Sequence, residues 1–350
     1  MSQNSSMMPS FRSLSYTVAI AGLIALTSCG NAPTTDNTAS PAASPSTAAS
    51  SPASTTETAA HNHSSGKQIN INTAILSELD KLEAKLGIPA LSNKIQASRP
   101  YGSPEELVTK KVISQEQYDQ VKDMVTIQDV VLTGEAKDVD YMTKLGLMKG
   151  HLLVARELLD QQKPDQAEPH IGHPVEEIYV DVEDQLKERN VKEFKTTLIS
   201  LQDLIKSKPK DASVKTSFAQ STEAVDAAIQ ALPETQRQSP KFVLQTINGL
   251  LDAANAEYGA AIANGKISAA IEYQDSRGFV NYADTLYKGI ADKMVKENPE
   301  AHKAIADSMT QLKTAWPSAI PPAAPVKTPE EVNQLIKTIE KNAQAAIAKS

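Results

Sequence analysis

From Asp138 to the C-terminus, apolar residues recur at three- and four-residue steps, and no other feature restricts the fold so firmly. Leu145, Met148, Leu152, Ala155 and Leu159 fall on one helical face, as do Phe194, Leu198, Leu201 and Ile205. Phe242, Ile247, Leu250, Ala254 and Ala261 repeat the pattern. Pro174, Pro240 and Pro299 stand where helices begin, because a first turn has no use for the N–H that proline lacks. Asn264-Gly265 reads as a helix end followed by a tight reversal. No stretch alternates as a half-buried strand would. The predicted fold is all-α: a bundle of about seven or eight helices over 138–316, then a Pro-rich connector and a C-terminal helix over 317–350.

The N-terminus reads as a targeting segment over 1–28. Arg12 is its only charge, and Tyr16 to Leu26 form an apolar core too short for a comfortable membrane span. Leu26-Thr-Ser-Cys29 resembles a bacterial lipobox, in which the cysteine is acylated and becomes the mature N-terminus. That resemblance implies a lipoprotein of the cell envelope, held to a membrane through Cys29. Cys29 is the only cysteine, so disulfides and cysteine-ligated metals are excluded. Residues 29–66, rich in Ser, Thr, Ala and Pro, read as a disordered linker, with His61 and His63 near its end. Removing the signal takes away Arg12 and no acid, leaving the chain one unit more negative than its overall −7. Such a surface gains nothing from long-range attraction to phosphate backbones.

A compact segment over 67–130 carries a second resemblance. Ile69-Asn-Ile-Asn-Thr-Ala74, then Leu76, Leu79, Leu82, Leu86-Gly-Ile-Pro89, Ile95, Arg99-Pro-Tyr101 and Glu105-Glu-Leu107, resemble the helix-hairpin-helix module of the ComEA competence DNA-receptor family. The resemblance implies DNA binding through backbone phosphates, with Gly87, Lys94, Lys110 and Lys111 as the contact residues. The sequence departs from that pattern where Pro89 replaces the second glycine of the first hairpin, removing an N–H donor. The second hairpin, Val112-Ile-Ser-Gln115, has no glycine.

The bundle segment holds three histidines within 23 residues: His151, His170 and His173. His151 shares a helical face with Met148, Ala155 and Leu158, so it points toward the core, where an imidazole needs partners. His173-Pro-Val-Glu176 resembles the His-x-x-Glu of imelysin-type helical proteins, which are linked to iron. If helices over 140–162 and 174–190 formed a simple hairpin, His151 and His173 would lie roughly 16 Å apart. They meet only if 163–172 folds back along the bundle. Glu257-Tyr258 and Glu272-Tyr273 stand symmetrically about Asn264-Gly265, which brings two carboxylates level across a helical hairpin. Gln274, Asp275, Ser276 and Arg277 then interrupt an apolar pattern, with Arg277 a candidate partner for Glu257 or Glu272. His151, His170, His173, Glu176, Glu257 and Glu272 are therefore candidate ligands for a transition-metal ion such as iron, copper or zinc.

No nucleophile–base pair or glycine-rich nucleotide loop is present, and no enzymatic activity is expected. Three readings stand open: an exported DNA-binding lipoprotein, an envelope metal-binding protein, and a structural adaptor for an envelope protein partner.

Overall fold

The computed structural model describes residues 68–129 and 131–349, which belong to one compact unit. Cys29, His61 and His63 lie outside the described residues. The fold is all-α, as the spacing predicts. Four short helices come first: α1 (Leu76–Leu86), α2 (Leu91–Ala97), α3 (Glu106–Thr109) and α4 (Gln115–Val121). The rest of the chain forms α5 (Gly134–Asp160), α6 (Pro164–Ala167), α7 (Pro169–His173), α8 (Tyr179–Glu188), α9 (Lys195–Ser207), α10 (Ser213–Gln230), α11 (Glu234–Arg237), α12 (Pro240–Ala261), α13 (Ala270–Glu297), α14 (Pro299–Lys313) and α15 (Pro329–Ile347). Of α5 to α14, seven reach ten residues or more, within the predicted seven or eight bundle helices, and α15 is the predicted C-terminal helix. A π-helical turn, Pro174–Ile178, separates α7 from α8. Among the described residues, extended pairing is confined to two-residue ladders, one parallel (Ile69–Asn70 with Val125–Thr126) and one antiparallel (Ile262–Ala263 with Lys266–Ile267).

The first four helices enclose a small core of their own, centred on Ile71, Leu79, Leu82, Leu91, Ile95, Leu107 and Val121. Arg99 fastens it by donating to the carbonyls of Ile71 and Ala74 at 2.8 and 2.6 Å. Ser114 starts α4 with a capping box to Gln117. This module docks through α1 onto α12, where Lys81 pairs with Asp252 and Ala84 lies against Gly259.

The larger core runs along α5, α12 and α13 and takes in Val332, Ile336 and Ile339 of α15. Truncating one such buried Leu or Ile to Ala costs about 2–5 kcal/mol. Asn264 and Gly265 both have positive φ, 53° and 70°, and turn α12 back into α13. The approach of α5 to α13 depends on two glycines. A Cβ on Gly150 would lie 2.6 Å from the Phe279 ring, and one on Gly278 would overlap the Gly150 carbonyl oxygen. Without side chains at that crossing the two backbones touch, which brings His151 and Asp275 into contact.

Candidate metal centre

After Asp160 the chain folds back through α6 and α7 and packs against α5. The simple-hairpin separation therefore does not arise: the His151 and His173 rings lie 5.4 Å apart, and His151 and His170 lie 6.2 Å apart. All three imidazoles converge on Asp275 of α13. Its Oδ1 lies 2.6 Å from His151 Nδ1 and 2.7 Å from His170 Nδ1. Its Oδ2 lies 3.3 Å from His173 Nδ1. Asp275, His151 and His170 are almost sealed from solvent, with side-chain exposures of 3%, 5% and 0%. The edge of Phe279 closes one side, 5.0 Å from the His151 ring.

The orientation of His170 is set from behind. Gln274 Nε2 donates to Gln166 Oε1 and to the Ala319 carbonyl, at 2.9 and 3.1 Å. Its Oε1 therefore faces His170 Nε2 at 2.9 Å and accepts from it. A partner on the far nitrogen is the usual support of a metal-bound histidine, and His170 Nδ1 lies at hydrogen-bond distance, 2.7 Å, from Asp275 Oδ1. His151 Nδ1 is close to Asp275 Oδ1 yet off the line that an N–H bond needs, and it has no hydrogen-bond partner. One carboxylate oxygen thus stands between two imidazole nitrogens in an interior closed to solvent. Such a grouping needs positive charge among its atoms, a proton or a metal ion. Ligands on a tetrahedral ion at about 2.1 Å sit about 3.4 Å apart, so an ion needs less than an ångström of opening here. Among the described residues, this is the group of three whose ligand atoms all lie within 4.8 Å of one another.

The electrostatics are those of a cation site. Burial opposes the charge on Asp275, but the charges of His151 and His170 outweigh it and hold the carboxyl well below its usual range. Burial draws His151 below its ordinary value against the pull of Asp275, and the neighbouring His173 and His170 lower it further. For His173, burial is overcome by Asp275, with Glu177 and Glu272 adding to it, and the ring is pushed up to about 9.

Other predicted residues fall elsewhere. Glu176 is exposed and outside the cluster, because the π turn shifts the register after His173 and brings Glu177 round instead. Glu177 accepts from the Leu76 N–H at 3.3 Å and so ties the small module to the edge of the site. Glu257 and Glu272 form a second acidic group with Asp80 of α1. Burial raises Glu257 well above the carboxylate range, and Asp80, Asp275 and Glu272 raise it further. Asp80 rises to about 7 through burial, against its bond from Ser92. Arg277 pairs with Glu157 at 2.8 Å, not with Glu257 or Glu272, because its guanidinium turns toward α5 and the Trp316 carbonyl. Sequence reasoning noted Asp275 and Gln274 as polar interruptions but did not assign them as ligand and support. It missed Asp80 and Glu177.

Of the four residues expected to contact DNA, Gly87 and Lys110 are engaged within the module. Gly87 is a left-handed cap on α1 whose N–H bonds to the Glu83 carbonyl at 2.8 Å. The Glu83 carboxylate accepts from the N–H groups of Ala90 and Ser92, at 2.9 and 3.2 Å, and so fills the position a phosphate would take at the start of α2. Lys110 is held by Glu106 and by the carbonyls of Ser98 and Pro100. Lys94 and Lys111 are exposed, Lys111 with a φ of 60°. Among the described residues, no helix is long and apolar enough to cross a membrane.

Comparison with known proteins corrects the ComEA resemblance and points to metal. No curated protein and no solved structure gives a significant match. Residues 233–350, roughly a third of the chain, match the model of the iron permease-associated 4-helix bundle domain family, and not the ComEA helix-hairpin-helix family. The matched part carries Asp275 and Gln274, while the three histidines come from the chain that precedes it. What the comparison establishes is that the α12–α15 part of this chain is similar to a domain associated with iron permeases.

Proposed function

We propose that this chain is an envelope metal-binding protein, not an enzyme, and that iron is its cargo. One observation carries the reading: Asp275 Oδ1 stands 2.6 and 2.7 Å from two imidazole nitrogens in an interior closed to solvent, with one of those nitrogens unpaired. His151, His170 and Asp275 would hold the ion, and Gln274 would fix His170. Two imidazoles and a carboxylate suit iron, copper and zinc alike. The similarity of 233–350 to an iron permease-associated domain favours iron among them, and a membrane metal transporter as the protein partner. Acylation at Cys29 would tether the domain beside such a partner, and Cys29→Ser would then release it into the soluble fraction.

The test is equilibrium titration of the chain with Fe(II) under anaerobic conditions, and with Zn(II) and Cu(II). One ion per chain is expected, with affinity reduced about a hundredfold or more in His151→Ala and His170→Ala. Absence of binding for all three metals would overturn the reading.

A further inference from the structure

The site has an inner and an outer side, and one residue links them. His151, His170 and Asp275 are closed to solvent, whereas the His173 side chain is 29% exposed. The two oxygens of Asp275 divide accordingly: Oδ1 faces the buried imidazoles, and Oδ2 faces His173 at 3.3 Å. The His173 ring stands almost perpendicular to both buried rings, 5.4 Å from His151 and 6.4 Å from His170. Glu177 and Glu272, both half-buried, act on His173 electrostatically. His173 also closes α7 where the π turn begins. There the regular hydrogen-bond ladder is widened, a feature frequent at functional sites.

We propose that His173 is the loading ligand of this centre: it takes a divalent metal cation from solution and passes it along Asp275, from Oδ2 to Oδ1, into the buried pair His151 and His170. The proposal rests on the metal-binding reading above and adds a kinetic role for a residue outside the tight ligand set. A carboxylate that faces both sides lets the ion change partners without being released to water. The carboxylates beside His173 favour a cation at the mouth and exclude an anion.

The experiment is stopped-flow loading of the full chain with Co(II), followed by its visible absorption, and release of the bound Co(II) to a chelator. In His173→Ala, loading and release should both slow by about tenfold or more, while one Co(II) still binds with an affinity within about tenfold of wild type. His173→Gln, which keeps a polar side chain against Asp275, should also load slowly with an unchanged melting temperature. Unchanged rates in both variants would overturn the loading role. A loss of affinity beyond about a hundredfold at an unchanged association rate would overturn it too, by making His173 a resident ligand. A wild-type chain that takes up no Co(II), Fe(II), Zn(II) or Cu(II) would remove the metal reading itself, and the loading role with it.

Discussion

Replacing Asp275 with Asn tests the electrostatic core of the site before any metal is added. The carboxylate faces three imidazoles, and an amide of the same shape cannot carry the charge that holds them. His173 titrates at about 9 in the fold, against 6.5 for the free side chain. A histidine whose value is raised on folding stabilises fully below about pH 6.5 and loses that contribution as pH rises through about 9. At pH 7 this shift contributes about 2 kcal/mol. Removing one partner of a buried charge network costs about 3–5 kcal/mol when the rest stays buried. The partial exposure of His173 favours the low end, so about 3 kcal/mol is expected. For a helical unit of this size that lowers the melting temperature by about 5 °C at pH 7. Melting curves of the metal-free wild type and Asp275→Asn between pH 6 and 10 should show the gap closing as His173 deprotonates in the wild type. An Asp275→Asn protein that melts within about 1 °C of wild type at pH 7, with the same pH slope, would refute the reasoning.

Three further outcomes follow from the same geometry. Gly278→Ala should destabilise by about 1–3 kcal/mol and weaken Co(II) binding, because it drives α13 off α5 at the level of His151. Gly289→Ala, on the same helix with open space around it, should be neutral or stabilising by up to about 1 kcal/mol in the same melts. Asp80→Asn should raise the melting temperature at pH 8 and change it little at pH 4. A buried carboxyl raised to about 7 favours the fold only while protonated, so its contribution disappears as pH rises from about 4 to 7. Metal binding at pH 7.5, measured by calorimetry in buffers of different ionisation enthalpy, should release about one proton, from His173.

The helices were legible because their apolar spacing is regular and prolines mark several starts; α12 and α14 begin at Pro240 and Pro299 as predicted. His151 was legible as core-facing for the same reason. Its partner was harder to see, since Asp275 is distant in sequence and meets His151 only because Gly150 and Gly278 let two helices touch. Local periodicity carries no information about such a crossing. The return of α6 and α7 rests on short elements of four and five residues, below the length at which spacing identifies a helix. Glu176 was named through the His-x-x-Glu resemblance, which does not show that the backbone widens into a π turn after His173, where Glu176 is exposed and Glu177 half-buried. The ComEA resemblance was misleading for a different reason. A hairpin motif identifies a backbone shape, and here the Glu83 side chain already occupies the helix start that the motif would offer to a phosphate.

The most direct measurement is anomalous scattering from crystals of the chain grown with Fe(II) or Zn(II). The account predicts a single strong peak within about 2.3 Å of His151 Nδ1, His170 Nδ1 and a carboxylate oxygen of Asp275. A peak elsewhere in the chain, or none at that position with metal in excess, would contradict it.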